Sequence, residues 1–184
     1  MLARMNAKFR LNKLFLLNKK LIVNAVGFQL VWFICVQGNN LNAALATIVL
    51  LSLHQLMFKL DLKAWPVLIA FSLLGFLGDS VLAKIFQLDY SDHLDPLAPL
   101  WLLCLWLSFA TTANHSMKWL FSTPYLTVFV ALFIVPISYL VGIKLSASTL
   151  LGSYPLFYIS EGIWWAVLLI VYGKLTEFNE VKHV

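Results

Sequence analysis

The chain has 184 residues, of which 61% are hydrophobic and only 11% charged, and its mean hydropathy is +0.87. Soluble domains carry roughly 45–50% apolar and about 25% charged residues, so the composition excludes an ordinary soluble domain and predicts a polytopic membrane protein. The net charge is +5, but six of the thirteen basic residues lie in the first twenty positions. They are a topology signal, and no folded basic surface remains to bind nucleic acid.

Three regions follow from this composition. Residues 1–19 form a basic arm, which is expected in the cytoplasm or on the membrane surface. Residues 20–175 are predicted to form a single transmembrane helical domain, and residues 176–184 a polar cytoplasmic tail. A cleaved signal peptide is a poorer interpretation of the first apolar run, because the faint cleavage-like triplet at 44–46 opens another apolar run.

The apolar runs predict an all-α, polytopic bundle of about six spans. These are expected near residues 20–37, 41–58, 64–87, 97–121, 125–143 and 155–173, with a kink at Pro136 in the fifth. If the N-terminus lies inside, eleven basic residues fall on the inner side and only Lys84 and Lys144 on the outer side. This bias predicts that both termini are cytoplasmic.

The fourth span, residues 97–121, carries more hydrogen-bonding side chains than lipid tolerates. If it is one continuous helix, steps of three or four place Ser108, Thr111 or Thr112, His115 and Trp119 on one face. Such a stripe must face other helices or water, because hydrocarbon offers no hydrogen-bond partner. It is either a ligand or catalytic groove, or a set of hydroxyls that bond to their own helix beside a structural histidine.

The third and sixth spans contain the two acidic residues that are predicted to lie within the membrane, Asp79 and Glu161. Asp79 shares a helical face with Ser72, Gly75 and Ala83, and these small residues favour close approach of another helix. Asp79 is therefore expected to point into the bundle, either as a functional group or paired with Lys84. Glu161 is either functional or a cap for the start of the sixth span.

A helical rise of about 1.5 Å per residue predicts two polar layers. The inner layer is rich in amides and histidine, and it contains Asn24, His54, Gln55, Asn114 and His115. The outer layer is acidic, with Asp79 and Glu161, and Ser80 and Tyr158 are nearby. Because the layers differ in depth, a direct pair between Asp79 and His115 is not expected.

No metal or cofactor is predicted. Cys35 and Cys104 lie in apolar runs and are expected to be free thiols. Only His54 and His115 are intramembrane histidines, and two histidines make a weak zinc site even if Asp79 is added. The H-x-x-x-H spacing of small membrane hydrolases is absent, which argues against a zinc-hydrolase mechanism.

Four segments carry a resemblance to a known family: NAVGFQLVWF (24–33), GFLGDS (75–80), PLWLLCLWLSFATTANHSMKWL (99–120) and PISYLVGIKLSAS (136–148). They resemble an uncharacterised bacterial family of integral inner-membrane proteins, catalogued as domain of unknown function 2878. The HS-x-x-WL pattern at 115–120 is the most distinctive part. The resemblance implies a multi-pass protein of the bacterial inner membrane, with a loose association with membrane-lipid chemistry and no assigned catalytic residues.

The leading functional hypothesis is a membrane protein that handles or modifies a lipid or acyl chain. His115 and Asp79 are the candidate catalytic residues. The candidate substrate-binding residues are Asn24, His54, Thr111, Asn114, Ser80 and Glu161, and the tryptophans expected to wall the groove are Trp101, Trp106, Trp119 and Trp165. A small proton-linked carrier using Asp79 and Glu161 is one alternative, and a non-catalytic accessory subunit is another. The expected partners are membrane lipids, while a membrane-protein partner or a second copy stays open.

Overall fold

The computed structural model describes residues 2–37, 39–62, 64–90, 96–113, 115–121, 123–146 and 148–181, and side chains only between Leu17 and Thr176. Its long helices are α1 (Leu2–Val36), α2 (Asn40–Phe58), α3 (Ala64–Ile85), α4 (Leu100–Ala113) and α8 (Tyr154–Val181). Between α4 and α8 lie α5 (Lys118–Phe121), α6 (Pro124–Phe129), a π-helical turn (Val130–Ile134) and α7 (Val135–Leu145). Two short strands, β1 (Leu88–Asp89) and β2 (Thr149–Leu150), complete the described elements, and the all-α prediction is confirmed.

Within the residues that the structure describes, five segments are long and apolar enough to cross a membrane. They are Leu17–Val36, Asn40–Phe58, Ala64–Ile85, Pro124–Leu145 and Tyr154–Thr176. Their mean hydropathies range from 1.5 to 2.5. Broad apolar faces therefore lie on the outside of the bundle, where hydrocarbon can cover them without a cost in free energy. The protein is therefore a membrane protein.

Helix α4 occupies the centre of the bundle, where it packs against α1, α2 and α3. Ten of its fourteen residues are buried. At about 21 Å it is shorter than a hydrocarbon core of about 30 Å. Because other helices surround it, non-helical backbone after its end need not meet lipid.

The fourth predicted span is not one helix, which corrects the sequence prediction. Helix α4 ends at Ala113, residues 115–117 form a turn, and α5 begins at Lys118. His115 and Trp119 therefore do not continue the helical face of Ser108 and Thr111. Helix propensity favours continuation of α4 only weakly. The polar residues that follow Ala113 in the sequence have side chains that compete for backbone hydrogen bonds, which favours the end of the helix there.

Residues 124–145 form one continuous helix that changes its hydrogen-bonding pattern in the middle. Pro136 has no N–H with which to bond the carbonyl of Leu132, and the chain adopts the π-helical turn just before it. The hydroxyl of Tyr158 on α8 donates to the carbonyl of the next residue in this turn, Phe133, at 3.0 Å. A Cβ atom added to Gly162 would lie only 3.1 Å from Leu132 Cα, so glycine lets α8 approach this turn closely.

Strands β1 and β2 pair antiparallel, with Leu88 opposite Leu150 and Asp89 opposite Thr149. Because β1 follows α3 and β2 follows α7, these two helices end at the same end of the bundle. Phe121 lies at the opposite end, where its ring centroid is 5.4 Å from that of Tyr172 near the far end of α8. The segment from α4 to α5 therefore returns the chain from the strand end to the other end.

Candidate functional site

The first polar group in the bundle is centred on Asn24, and we call it the amide–histidine cluster (Asn24, His54, Thr111, His115 and Ser116). The amide oxygen of Asn24 accepts a hydrogen bond from the Ser116 hydroxyl at 2.7 Å. The amide nitrogen donates to Thr111 Oγ1 at 3.2 Å and faces His54 Nδ1 at 3.4 Å. One buried side chain of α1 thereby links α2, α4 and the turn after α4.

These contacts determine the tautomer of His54. Since the amide nitrogen of Asn24 can only donate, His54 Nδ1 accepts, and the neutral ring carries its proton on Nε2. That Nε2 atom is buried and has no hydrogen-bond partner, and the same holds for Nδ1 of His115. The two imidazole rings meet edge to face with centroids 4.7 Å apart. The Phe58 ring is tilted against His115, and the two ring centroids are 3.8 Å apart.

The hydroxyls of α4 bond mainly to their own helix. Ser108 donates to the carbonyl of Cys104 at 2.8 Å, Thr111 to that of Ser108 at 2.7 Å, and Thr112 to that of Phe109 at 2.6 Å. This back-bonding is the usual way for serine and threonine to lie in an apolar helix. The protons of these three hydroxyls are therefore already used.

The second polar group lies between α3, α4, α7 and α8, and we call it the carboxyl cluster (Asp79, Trp106, Tyr139, Glu161 and Trp165). Asp79 is only 1% exposed, and its Oδ2 accepts hydrogen bonds from Trp106 Nε1 at 2.8 Å and from the Tyr139 hydroxyl. Trp165 Nε1 donates in turn to the Tyr139 oxygen at 3.2 Å. Trp106 and Tyr139 thus donate directly to one carboxylate oxygen, and Trp165 reaches it through Tyr139.

Glu161 is also 1% exposed, and it lies close enough to Asp79 for the two charges to interact. Asp79 Oδ1 and Glu161 Oε2 are buried without a hydrogen-bond partner. Glu161 lies seven residues after the start of α8 at Tyr154, too far along to cap it. Lys84 is exposed to the surroundings, and Asp79 takes aromatic donors as its partners.

The two groups stay separate, as the depth estimate predicted. The neighbours of His115 are His54 and Phe58, while Asp79 bonds to Trp106 and Tyr139. Within the described residues, no group of three or more His, Cys, Asp or Glu side chains is placed to hold a metal ion. The arrangement suits acid–base or binding chemistry at two places.

An apolar cavity of about 450 Å³ lies between α1 and α7, with α4 as its floor. Trp101 and Trp106 of α4 and Trp165 of α8 line it, and Leu88 and Tyr90 line its strand end. The cavity is within the range of roughly 300–1,000 Å³ that is typical of small-molecule sites. Its position at the seam between two outer helices suits a ligand that arrives from the bilayer.

Other predicted site residues have different positions. Ser80 donates to the carbonyl of Phe76 at 2.8 Å and accepts from the backbone N–H of Ala98 at 3.1 Å, so it holds the segment before α4. Trp119 is 57% exposed and does not line the cavity, which corrects its expected place in the groove wall. Asn114 lies outside the described residues.

Sequence reasoning missed the role of Tyr139. It contacts Asp79 and Trp165 and lines the cavity, so it joins the carboxyl cluster to the apolar space. A signal was present, because a tyrosine in the middle of a span needs a hydrogen-bond partner for its hydroxyl. The partner itself could not be read from the chain, because it depends on the rotation of α7 about its axis.

The fold and its long apolar helices define a small helical membrane protein. Its family follows from comparison with known proteins: the chain belongs to the family described as a protein of unknown function, DUF2878, whose model matches residues 21–171. No curated protein matches the chain, and no solved structure does.

Proposed function

We propose that this protein is a multi-pass protein of the bacterial inner membrane that binds a membrane lipid or acyl chain in the cavity between α1 and α7. The cavity carries the proposal, since its walls are almost entirely apolar and include Trp101, Trp106 and Trp165. A lipid that enters from the bilayer leaves hydrocarbon and not water, so close packing of its chain against these walls, rather than the hydrophobic effect, would stabilise it there. A water-soluble ligand would gain little there.

The proposed topology has six crossings with both termini in the cytoplasm. The β1–β2 pairing supports it, because α3 and α7 end together and residues 100–121 must therefore cross back between them. Helix α4 alone is short, but α5 and the turn extend it. The distribution of lysine and arginine supports the orientation.

Native mass spectrometry of the purified protein tests the lipid site. A Gly142→Phe substitution places a ring in the cavity, because Gly142 lines it and an added Cβ would meet only Val36 Cγ1 at 3.7 Å. We expect a bound lipid in the wild type, and its loss in Gly142→Phe and in a second cavity-filling variant, Leu105→Phe.

The matched control is Val81→Phe on α3, where the side chain is 57% exposed on the outside of the bundle. It adds the same ring without entering the cavity, so it should retain the lipid. A lipid that stays bound in both cavity-filling variants would place it on the outer surface and overturn the proposal.

Modification of a lipid would be a separate activity of the amide–histidine cluster, because neither His54 nor His115 lines the cavity. His115 and His54 each have a ring nitrogen without a partner, which favours an acid–base role for His115. Whole-lipid mass spectrometry should compare cells that lack the protein with cells that hold the wild type or His115→Ala at equal expression. A lipid species present only with the wild type supports modification, whereas identical profiles would reduce the function to binding.

A proton-linked carrier is the second candidate, and the carboxyl cluster favours it. Asp79 and Glu161 are both buried, their charges interact, and each has an oxygen without a partner. Two interacting buried carboxyls favour a state in which one of them keeps its proton. In proteoliposomes loaded with a pH-sensitive dye, a carrier should dissipate a proton gradient when a mixture of small metabolites is added. Asp79→Asn should abolish that flux, and a wild type that leaves the gradient intact would exclude the carrier.

A further inference from the structure

The two ends of the cavity between α1 and α7 differ in chemistry. Tyr90 and Ser148 line its strand end, close to β1 and β2 in the chain. Trp101, in the first turn of α4, also lines the cavity, and its ring meets that of Tyr90 edge to face with centroids 5.4 Å apart. The opposite end, toward α5, is lined by apolar side chains, which are Phe28, Phe109, Met117 and Val130.

Two hydrogen-bond donors at the strand end have no partner. Nε1 of Trp101 and Oγ of Ser148 are buried, and neither bonds to any of the residues that the structure describes. An indole nitrogen can only donate, and a serine hydroxyl has one proton to donate. A buried donor without a partner costs free energy, which an acceptor in the cavity wall or in a ligand recovers. The strand end is therefore suited to a ligand oxygen that accepts hydrogen bonds.

The oxygen that fits there belongs to an uncharged group. None of the described lining residues is lysine, arginine or histidine, so a carboxylate or phosphate would have no cation to pair with, which is strongly unfavourable in an apolar environment. Burial raises the pKa of Tyr90 well above its ordinary value, and the charges of Asp79 and Glu161 raise it further. Because Tyr90 contacts Trp101, negative charge is disfavoured beside the two donors as well.

We infer that the cavity holds its lipid in one orientation, with an uncharged oxygen-bearing head group hydrogen-bonded to Trp101 Nε1 and Ser148 Oγ and with the chain directed toward α5. The inference rests on the proposed function, which places a lipid in this cavity. Ester carbonyl, ether and hydroxyl oxygens share the required acceptor chemistry. In the proposed topology the strand end lies on the side away from the cytoplasm, so the lipid comes from the outer leaflet of the membrane.

The head group is tested with three probes of similar chain length. Methyl palmitate carries an uncharged ester, palmitate a carboxylate, and octadecane no polar group. The purified protein in non-ionic detergent is immobilised, equilibrated with an equimolar mixture and washed, and the bound probes are quantified by mass spectrometry above the amount that Gly142→Phe retains. We expect methyl palmitate to be enriched about threefold to tenfold over octadecane, the ratio that one hydrogen bond produces, and palmitate to bind less than methyl palmitate.

Trp101→Phe and Ser148→Ala each remove one donor, and each should reduce the enrichment of methyl palmitate over octadecane several-fold. The matched controls are Trp119→Phe, at a 57% exposed tryptophan, and Ser153→Ala, at an exposed serine, and both should keep the enrichment of the wild type. Because Ser148 Oγ has no partner, Ser148→Ala should not lower the thermal midpoint of the lipid-free protein, whereas the loss of a structural hydrogen bond would. Unchanged enrichment in both donor variants would contradict the inference.

The orientation is tested with two photoreactive forms of methyl palmitate, one with a diazirine beside the ester and one with a diazirine near the end of the chain. After irradiation, the labelled residues are located by mass spectrometry of peptides. The probe with the group beside the ester should label the strand end at Tyr90, Trp101 or Ser148, and the other probe should label Met117 or Val130. The reverse pattern, or the same labelling by both probes, would overturn the orientation, and this test uses the wild type alone.

The outcomes distinguish the inference from the proposed function. If octadecane binds as well as methyl palmitate and Gly142→Phe removes both, the cavity holds a chain but the inference about the head group is overturned. If palmitate binds best, the inference is likewise overturned. If no probe binds the wild type more than Gly142→Phe, the proposed function falls and the inference falls with it.

Discussion

At the residue scale, Asn24 stabilises the bundle with one side chain. Its amide contacts Thr111, His54 and Ser116, and it is completely buried. Removal of the amide leaves these partners without a polar neighbour, at a cost of about 1–3 kcal/mol. We therefore expect Asn24→Ala to lower the midpoint of thermal unfolding in detergent micelles, measured by circular dichroism.

Asn18→Ala is the matched control, because Asn18 lies on the same helix with an exposed side chain. It loses the same atoms without breaking a buried network, so its midpoint should stay close to that of the wild type. Equal midpoints for Asn24→Ala and the wild type would show that the network does not contribute to stability.

At the element scale, glycines set how closely α3 approaches its neighbours. A Cβ atom added to Gly75 would overlap the Trp106 ring, and one added to Gly78 would overlap Trp164. Alanine gains up to about 1 kcal/mol over glycine from helix propensity, but overpacking costs about 1–3 kcal/mol. Gly75→Ala should therefore be destabilised, as measured by its thermal midpoint.

Gly142→Ala provides the opposite case on α7. Its added Cβ would meet Val36 at an ordinary contact distance of 3.7 Å, so the helix propensity of alanine should raise stability slightly or leave it unchanged. A Gly75→Ala midpoint equal to or above that of Gly142→Ala would mean that Trp106 moves aside, and that its hydrogen bond to Asp79 does not hold it.

At the scale of the whole molecule, the number of crossings decides where each loop lies. Single cysteines at positions 37, 61, 123 and 153, introduced into a chain without Cys35 and Cys104, can be labelled with an impermeant thiol reagent in intact cells. We expect Gln37→Cys and Ser153→Cys to react from outside, and Asp61→Cys and Thr123→Cys to react only after the cells are opened.

The critical comparison is between positions 123 and 153, which flank the helix of residues 124–145 and should lie on opposite sides of the membrane. Position 153 should lie on the same side as the end of α3, because β1 and β2 pair. If Thr123→Cys reacts from outside, residues 100–121 do not cross and the chain has five spans. Both native cysteines are buried free thiols, and alanine at these positions leaves the introduced cysteine as the thiol that is labelled.

The sequence by itself determined the class of the protein and the approximate positions of five of the six predicted spans. Hydropathy is summed over about twenty residues, so single errors average out. The small-residue face of Ser72, Gly75, Asp79 and Ala83 could also be predicted, because it depends only on the period of one helix, and all four residues are buried. The separation of Asp79 from His115 followed in the same way from counting the helical rise.

Only the tertiary structure decided which side chains meet. The contact between Tyr139 and Asp79 and the bonds of Asn24 across three segments depend on how helices rotate and pack about their axes, and no local pattern specifies that. The break after Ala113 was also missed, because the surrounding helices remove the penalty that lipid would impose on an irregular backbone. The cavity is likewise a property of packing, because it forms where α1 and α7 are separated from each other and α4 lies beneath them.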